Sequence, residues 1–120
     1  MIRYGDWINI LVPSRAAGNA LAGQVSSEPG DAHAFDYAVE CFAPGTTFTD
    51  VQDGPITRKV PSAPAVAFAM GVCCTAGVRA SVEALIATGL PDGVMVEVGD
   101  RATVEPHFAQ FVADSGYVMQ

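Results

Sequence analysis

The sequence predicts an α/β or α+β fold, a two-layer sandwich in which helices pack on a mixed sheet of about four to six strands. The main observation is an apolar run at 65–72 followed by a helix-like segment at 75–88 and a second apolar run at 94–98. Hydrophobic residues also make up 50% of the 120 residues, enough for one buried core. We therefore expect one domain over 1–120, with a parallel βαβ unit at 65–98 whose strands lie side by side.

The first elements predicted are a strand and a weak helix. Residues 7–12 are apolar and rich in β-branched side chains, and Pro13 ends the run. Ser14 is a suitable N-cap for a helix near 14–25. Gly18, inside that helix, costs about 1 kcal/mol relative to alanine, so the helix is expected to be marginal.

The middle of the chain predicts one half-exposed strand and one ambiguous segment. Residues 34–42 alternate in polarity, with Cys41 on the buried side. Residues 43–63 form either a hairpin or a mobile loop, because a Gly-Pro turn signal is present but Pro55 removes a donor from the return strand. A loop would serve as a lid or partner-binding arm, whereas paired strands would be a solvated edge.

Two further helices are predicted in the second half of the chain. The helix at 75–88 ends before Gly89, and the last helix runs over 103–114 with Pro106 tolerated in its first turn. A short strand at 117–119 follows. The side chains expected to face the core from these helices are Val78, Val82, Leu85, Val104, Phe108, Phe111 and Val112.

The charge balance limits the classes of partner. Thirteen acids against six bases give a formal charge of −7, which repels nucleic acid and anionic membranes. No apolar run reaches the roughly 18 residues that span a bilayer, and no signal sequence is evident. Three cysteines lack metal or redox spacing, which fits a reducing compartment. We expect a cytoplasmic homo-oligomer that binds neither nucleic acid nor membrane.

The best candidate site is the predicted turn between the strand at 65–72 and the helix after it. Ligands gather where strands end and helices begin, and backbone N–H groups at a helix start can hold an anion. A thiol placed there can be reactive, although two buried cysteines ending a core strand explain the same residues. The candidate catalytic residues are Cys73, Cys74 and Arg79, and the candidate ligand-binding residues are Cys74, Thr75, Ala76, Gly77 and His107.

Two resemblances converge on this turn. Cys73 and Arg79 stand in the spacing C-x-x-x-x-x-R, which resembles the phosphate loop of cysteine-dependent phosphatases and implies a nucleophilic cysteine and a phosphate-clamping arginine. From Cys73 onward, the helix, the Pro-Asp-Gly turn at 91–93 and the final helix look like small sulfur-carrier proteins of the TusA type, which implies a persulfide on the cysteine. Thr75 and Gly77 replace the prolines of that family's Cys-Pro-x-Pro signature.

The remaining polar residues suggest less specific chemistry. His107 lies near Glu105 and Asp100 in sequence and could act as a base, and His33 lies between Asp31 and Asp36 as a weak metal-binding pattern. Nucleotide-binding glycine motifs and zinc spacing are absent, so no cofactor and no metal are expected. We expect a non-enzymatic binding or accessory protein that uses an apolar pocket or face. The alternatives are a thiol-based enzyme or sulfur carrier built on the anion-holding loop at 73–79, and a histidine- or metal-based hydrolase.

Overall fold

Two β-sheets and four helices make up the computed structural model, which describes residues 5–25 and 36–119. The strands are β1 (Asp6–Val12), β2 (Tyr37–Phe42), β3 (Phe48–Asp53), β4 (Ile56–Pro61), β5 (Ala67–Cys74), β6 (Met95–Asp100) and β7 (Val118–Met119). The helices are α1 (Arg15–Val25), α2 (Ala76–Thr88), α3 (Arg101–Val104) and α4 (Phe108–Asp114). The predicted mixture of helices and a central sheet is confirmed, and that sheet has five strands.

The main sheet has the order β6-β1-β5-β2-β7, and every neighbouring pair in it is antiparallel. The predicted side-by-side parallel pairing at 65–98 is therefore wrong. β1 lies between β5 and β6, so that Asn9 pairs with Gly71 on one side and Glu97 on the other. Because β5 and β6 both run antiparallel to β1, they run in the same direction one strand apart. The β1-α1-β2-β5-α2-β6 path has the split βαβ connectivity of ferredoxin-like folds.

Helices pack against both faces of the sheet. The structure therefore has three layers, whereas the sequence predicted two. On the first face, α1 and α2 cover a core formed by Ile8, Ile10, Val12, Leu21, Phe68, Met70, Cys74 and Val82. On the second face, α4 covers a core formed by Leu11, Cys41, Ala67, Ala69, Phe108, Phe111 and Val112. β1 contributes alternate side chains to both cores, which explains its central position.

Gly18 lets α1 approach the sheet closely. A Cβ at this position would lie 2.6 Å from Met70 Cε and 3.2 Å from Val12 Cγ2. The residue that was expected only to weaken the helix therefore provides the space in which Met70 packs.

Two predicted boundaries are wrong. β5 continues through Cys73 and Cys74, which pair with Trp7 and Asp6 of β1, so the expected turn at 73–77 is reduced to Thr75. The cross-strand pairing with β1, which cannot be read from the local sequence, extends the strand.

The predicted helix at 103–114 is two helices. α3 ends at Val104 and α4 begins at Phe108. Pro106 has no N–H to donate and its ring obstructs the preceding turn, so a continuous helix is interrupted there. Two short turns bridge the gap, in which the N–H groups of His107 and Phe108 donate to the carbonyls three residues earlier, each at 3.2 Å.

The ambiguous segment at 43–63 takes the hairpin form, with β3 and β4 paired from Phe48–Pro61 to Asp53–Ile56. Gly54 has φ of 61°, as the first residue of a type II′ two-residue turn requires. Pro55 is the second turn residue, so its missing N–H removes no bond from the return strand. Hydrogen bonds between Thr47 and Ser62 continue the pairing one residue beyond the strands at the base of the hairpin.

Candidate functional site

The adjacent cysteines point to opposite faces of the sheet because successive strand residues alternate. Cys74 is 5% exposed and lies in the core beneath α1 and α2. Burial, followed by the nearby Asp6 carboxylate, raises the pKa of Cys74 to about 11. Cys73 is half-buried on the face that carries α3 and α4. The two thiols therefore belong to different environments, and these contacts favour a structural role for Cys74.

Arg79 connects α2 to the ends of two strands. Its Nη1 lies 2.8 Å from Asp6 Oδ1 and 2.8 Å from Asp100 Oδ1, and its Nε lies 3.6 Å from Glu83 Oε1. The hydrogen bond to Asp6, followed by that to Asp100, raises the pKa of Arg79. Because three carboxylates already surround the guanidinium, these contacts favour a structural role over the clamping of phosphate.

The other residues of the predicted anion site begin α2. Thr75 is the N-cap, and its Oγ1 accepts a hydrogen bond from the N–H of Val78 at 3.2 Å. Ala76 and Gly77 are exposed in the first turn. The threonine hydroxyl thus occupies the position from which an anion would contact this N–H.

An open cleft of about 670 Å³ lies on the opposite face of the sheet. It forms where α3 crosses the beginning of β1, and the Arg101 N–H donates to Gly5 O at 2.8 Å across this crossing. The cleft is lined by Gly5, Tyr37, Arg101, Ala102, Glu105 and Pro106. None of these residues was proposed as a site from the sequence.

An ion pair and a tyrosine form the polar part of the cleft. Arg101 Nε donates to Glu105 Oε1 at 2.8 Å, and the Tyr37 hydroxyl donates to Glu105 Oε2 at 3.2 Å. The hydrogen bond to Glu105 raises the pKa of Tyr37. The Arg101 guanidinium also lies 5.3 Å from the centroid of the buried Trp7 ring. Glu105 therefore links β2 to α3.

Beside the cleft, a network of polar contacts extends from the fully buried Asn9 to β6 and α3. Asn9 Oδ1 accepts from the Trp7 indole N–H at 2.8 Å, and its Nδ2 donates to Val104 O at 2.9 Å and to Glu97 Oε1 at 3.1 Å. Glu97 in turn lies 2.8 Å from Nδ1 of His107. The hydrogen bond with Glu97 raises the pKa of His107. His107 thus pairs with Glu97, whereas the sequence had suggested Glu105 or Asp100.

Thr75, Ala76, Gly77 and Arg79 lie together at the start of α2, whereas Cys73 and His107 lie on the opposite face of the sheet. The cleft residues left only faint signals in the sequence. The Asn9 side chain is the clearest signal, since a polar residue within an apolar strand must find partners when buried. The i,i+4 pair of Arg101 and Glu105 is another. His33 and Asp31 lie outside the described residues. Within residues 5–25 and 36–119, no group of three His, Cys, Asp or Glu side chains is arranged to hold a metal ion.

No known protein-family model matches this chain, and no curated protein is significantly similar to it in sequence. Among the helices that the structure describes, none is both long and apolar enough to cross a membrane.

Proposed function

We propose that this protein is a non-enzymatic binding protein that holds a small molecule in the cleft between Tyr37 and α3. The volume of the cleft, about 670 Å³, carries the proposal, because it falls within the range of about 300–1,000 Å³ typical of small-molecule sites. Apolar surface with a few converging polar groups is also typical of such sites.

The cleft residues suggest how a ligand is held. Tyr37 and Pro106 offer flat apolar surface, and the Arg101–Glu105 pair offers both a donor and an acceptor at its edge. A molecule with one aromatic ring and one polar group matches this arrangement. The Asn9 network and the buried Trp7 ring support the cleft from below, so the site is held on rigid elements.

Ligand-observed NMR with indole, benzoate and benzylamine tests this proposal, because the three probes share an aromatic ring and differ in charge. We expect at least one to bind saturably to the wild-type protein and not to Ala102→Phe, which fills the cleft. Ala80→Phe is the matched control, since Ala80 is exposed on α2 at the other face of the sheet. If no probe binds saturably, or if both variants bind equally, the proposal is wrong.

A thiol-based enzyme or sulfur carrier is the second candidate, and the position of Cys73 favours it. Cys73 pairs with Trp7 in β1, and the Arg101 guanidinium lies over that same ring. Arg101 therefore lies on the same face of the sheet as Cys73. A nearby cation favours the thiolate, which is the form that attacks electrophiles or carries a persulfide sulfur.

We further propose that the protein acts in the cytoplasm as a homo-oligomer, without a nucleic-acid partner. The net charge of −7 opposes contact with nucleic acid. Cys41, Cys73 and Cys74 are not joined by disulfide bonds, which fits a reducing compartment.

A further inference from the structure

The hairpin formed by β3, the Gly54-Pro55 turn and β4, called the arm below, projects into solvent. Ten of the twelve residues of β3 and β4 are exposed, and the other two, Phe48 and Pro61 at the base of the arm, are half-buried. The radius of gyration of 15.4 Å also exceeds the roughly 13–14 Å of a compact chain of this length. An isolated two-stranded hairpin is marginally stable in water, so covering one side would stabilise it.

One side of the arm, called its apolar side below, carries three exposed apolar side chains together with Thr49, Asp53 and Arg58. The register pairs Thr49 with Val60, Val51 with Arg58 and Asp53 with Ile56, and these six residues share one side. The exposed fractions of its apolar side chains are 36% for Val51, 65% for Ile56 and 37% for Val60. The opposite side carries the Asp50–Lys59 ion pair, with 2.8 Å between Nζ and Oδ1.

The arm differs from the rest of the chain in charge. It contains two acids, Asp50 and Asp53, and two bases, Arg58 and Lys59, so its formal charge is zero. The rest of the chain therefore carries the whole net charge of −7. Two copies of the protein repel each other wherever their bodies meet, and this repulsion is smallest between their arms.

We propose that the apolar side of the arm is the interface with a second copy of this chain. A two-fold axis along the strands places β3 of one copy over β4 of its partner, with Val51, Ile56 and Val60 covered from both sides. In the monomer, Arg58 Nε lies 3.7 Å from Asp53 Oδ2. In the dimer, Arg58 also reaches the partner's Asp53, so each copy presents a positive charge to a negative charge of the other.

The size of the arm sets the strength of the contact. Each strand contributes six residues, fewer in total than the 20–30 residues per partner of a standard interface. The dimer is therefore weak and reversible, and salt strengthens it by screening the repulsion between the two acidic bodies. This surface adds an interface to the proposed homo-oligomer and is separate from the cleft.

Sedimentation velocity of the full chain between about 10 µM and about 1 mM, at low and at high salt, tests the inference. We expect a monomer–dimer equilibrium that shifts toward dimer with concentration and with salt. Ile56→Lys should remain monomeric throughout this range. Thr57→Lys is the matched control, because it adds the same charge at the neighbouring residue on the opposite side of the arm, and it should dimerise as the wild type does.

A wild-type protein that stays monomeric at about 1 mM overturns the inference. Equal dimerisation of Ile56→Lys and Thr57→Lys also overturns it, since the copies would then meet elsewhere. Thermal unfolding of both variants checks that they fold. The NMR probes of the cleft report separately on the proposed ligand site, so failure of one proposal is distinguishable from failure of the other.

Discussion

Several polar contacts on the second face of the main sheet converge on Asn9. Its amide satisfies the Trp7 indole, a backbone carbonyl and Glu97 in a region closed to solvent. Because the buried Trp7 N–H depends on this amide and Val104 O accepts from it, the asparagine specifies how α3 sits on β1.

Replacing Asn9 with alanine should lower the free energy of unfolding by about 2–4 kcal/mol, because the Trp7 N–H loses its partner, Val104 O loses one of its two donors and a small cavity remains. Urea unfolding measures the loss. The fluorescence of Trp7, the only tryptophan, should also change. A loss below about 0.5 kcal/mol would mean that the network contributes little.

His107 makes the stability depend on pH. Its pKa is raised in the folded protein by Glu97, so its contribution to stability is fully present below its unfolded pKa of about 6.5 and is lost as pH rises through the folded value. Urea unfolding between about pH 6 and about pH 8 should therefore show the wild type losing stability relative to His107→Gln. Glu97→Gln should remove most of the same pH dependence. An unchanged difference across this range contradicts the pairing.

The two adjacent thiols should differ in reactivity. With a pKa of about 11, roughly one Cys74 side chain in a thousand is thiolate at about pH 8. Iodoacetamide should therefore label Cys73 in the folded protein and leave Cys74 unlabelled, as mass spectrometry of the peptides would show. Cys73→Ser should abolish labelling until the protein unfolds. Labelling of Cys74 at the rate of Cys73 would contradict its burial.

Among the elements, β5 contains a glycine that leaves room for an aromatic cluster to pack closely against the sheet. A Cβ on Gly71 would lie 3.0 Å from Trp7 Cζ2, 3.1 Å from Tyr37 Cδ2 and 3.3 Å from Phe108 Cδ1. The ring centroids of Trp7 and Tyr37 are 5.3 Å apart, and those of Tyr37 and Phe108 are 5.2 Å apart. The glycine therefore sets how closely α4 and the tyrosine approach β5.

Gly71→Ala should lower the free energy of unfolding by about 1–3 kcal/mol, because three rings must move to admit one methyl group. Gly77→Ala is the control, since Gly77 is exposed in α2 and a Cβ at this position would lie 3.8 Å from Thr75 Oγ1. That substitution should raise stability by about 0.5–1 kcal/mol through the higher helix propensity of alanine. Equal effects of the two substitutions would contradict the packing argument.

At the scale of the whole molecule, the arm and the five-stranded sheet are distinct units. The arm is held mainly by its own cross-strand pairs, together with the edge-on contact of Phe48 with Phe42, whose ring centroids are 5.2 Å apart. The two cores of the sheet include no residue of the arm.

Replacing residues 50–59 with Asn-Gly should leave the main sheet intact, because the paired residues Thr49 and Val60 can be joined by a two-residue turn. We expect the melting temperature to change by less than about 5 °C, the shift that about 1 kcal/mol produces in a domain of this size. Differential scanning calorimetry measures it. A larger decrease would mean that the arm stabilises the sheet.

Local sequence patterns were enough to predict α1, α2, most strands and many of the residues that face the core, but not the break between α3 and α4. Local signals were sufficient there, because the periodicity of Val78 and Val82 or the alternation around Cys41 is set by the geometry of one element. The turn at Gly54 and the buried phenylalanines of α4 were likewise visible in the residue pattern.

Only the tertiary structure decided which strands are neighbours and where the cleft lies. β1 enters between β5 and β6 because its side chains fill both cores, a property that the order of helices and strands does not encode. The cleft then joins Tyr37 to Arg101 and Glu105, more than sixty residues apart in the chain. Such contacts depend on packing between distant segments, and for that reason the adjacent cysteines, conspicuous in sequence, were separated onto opposite faces.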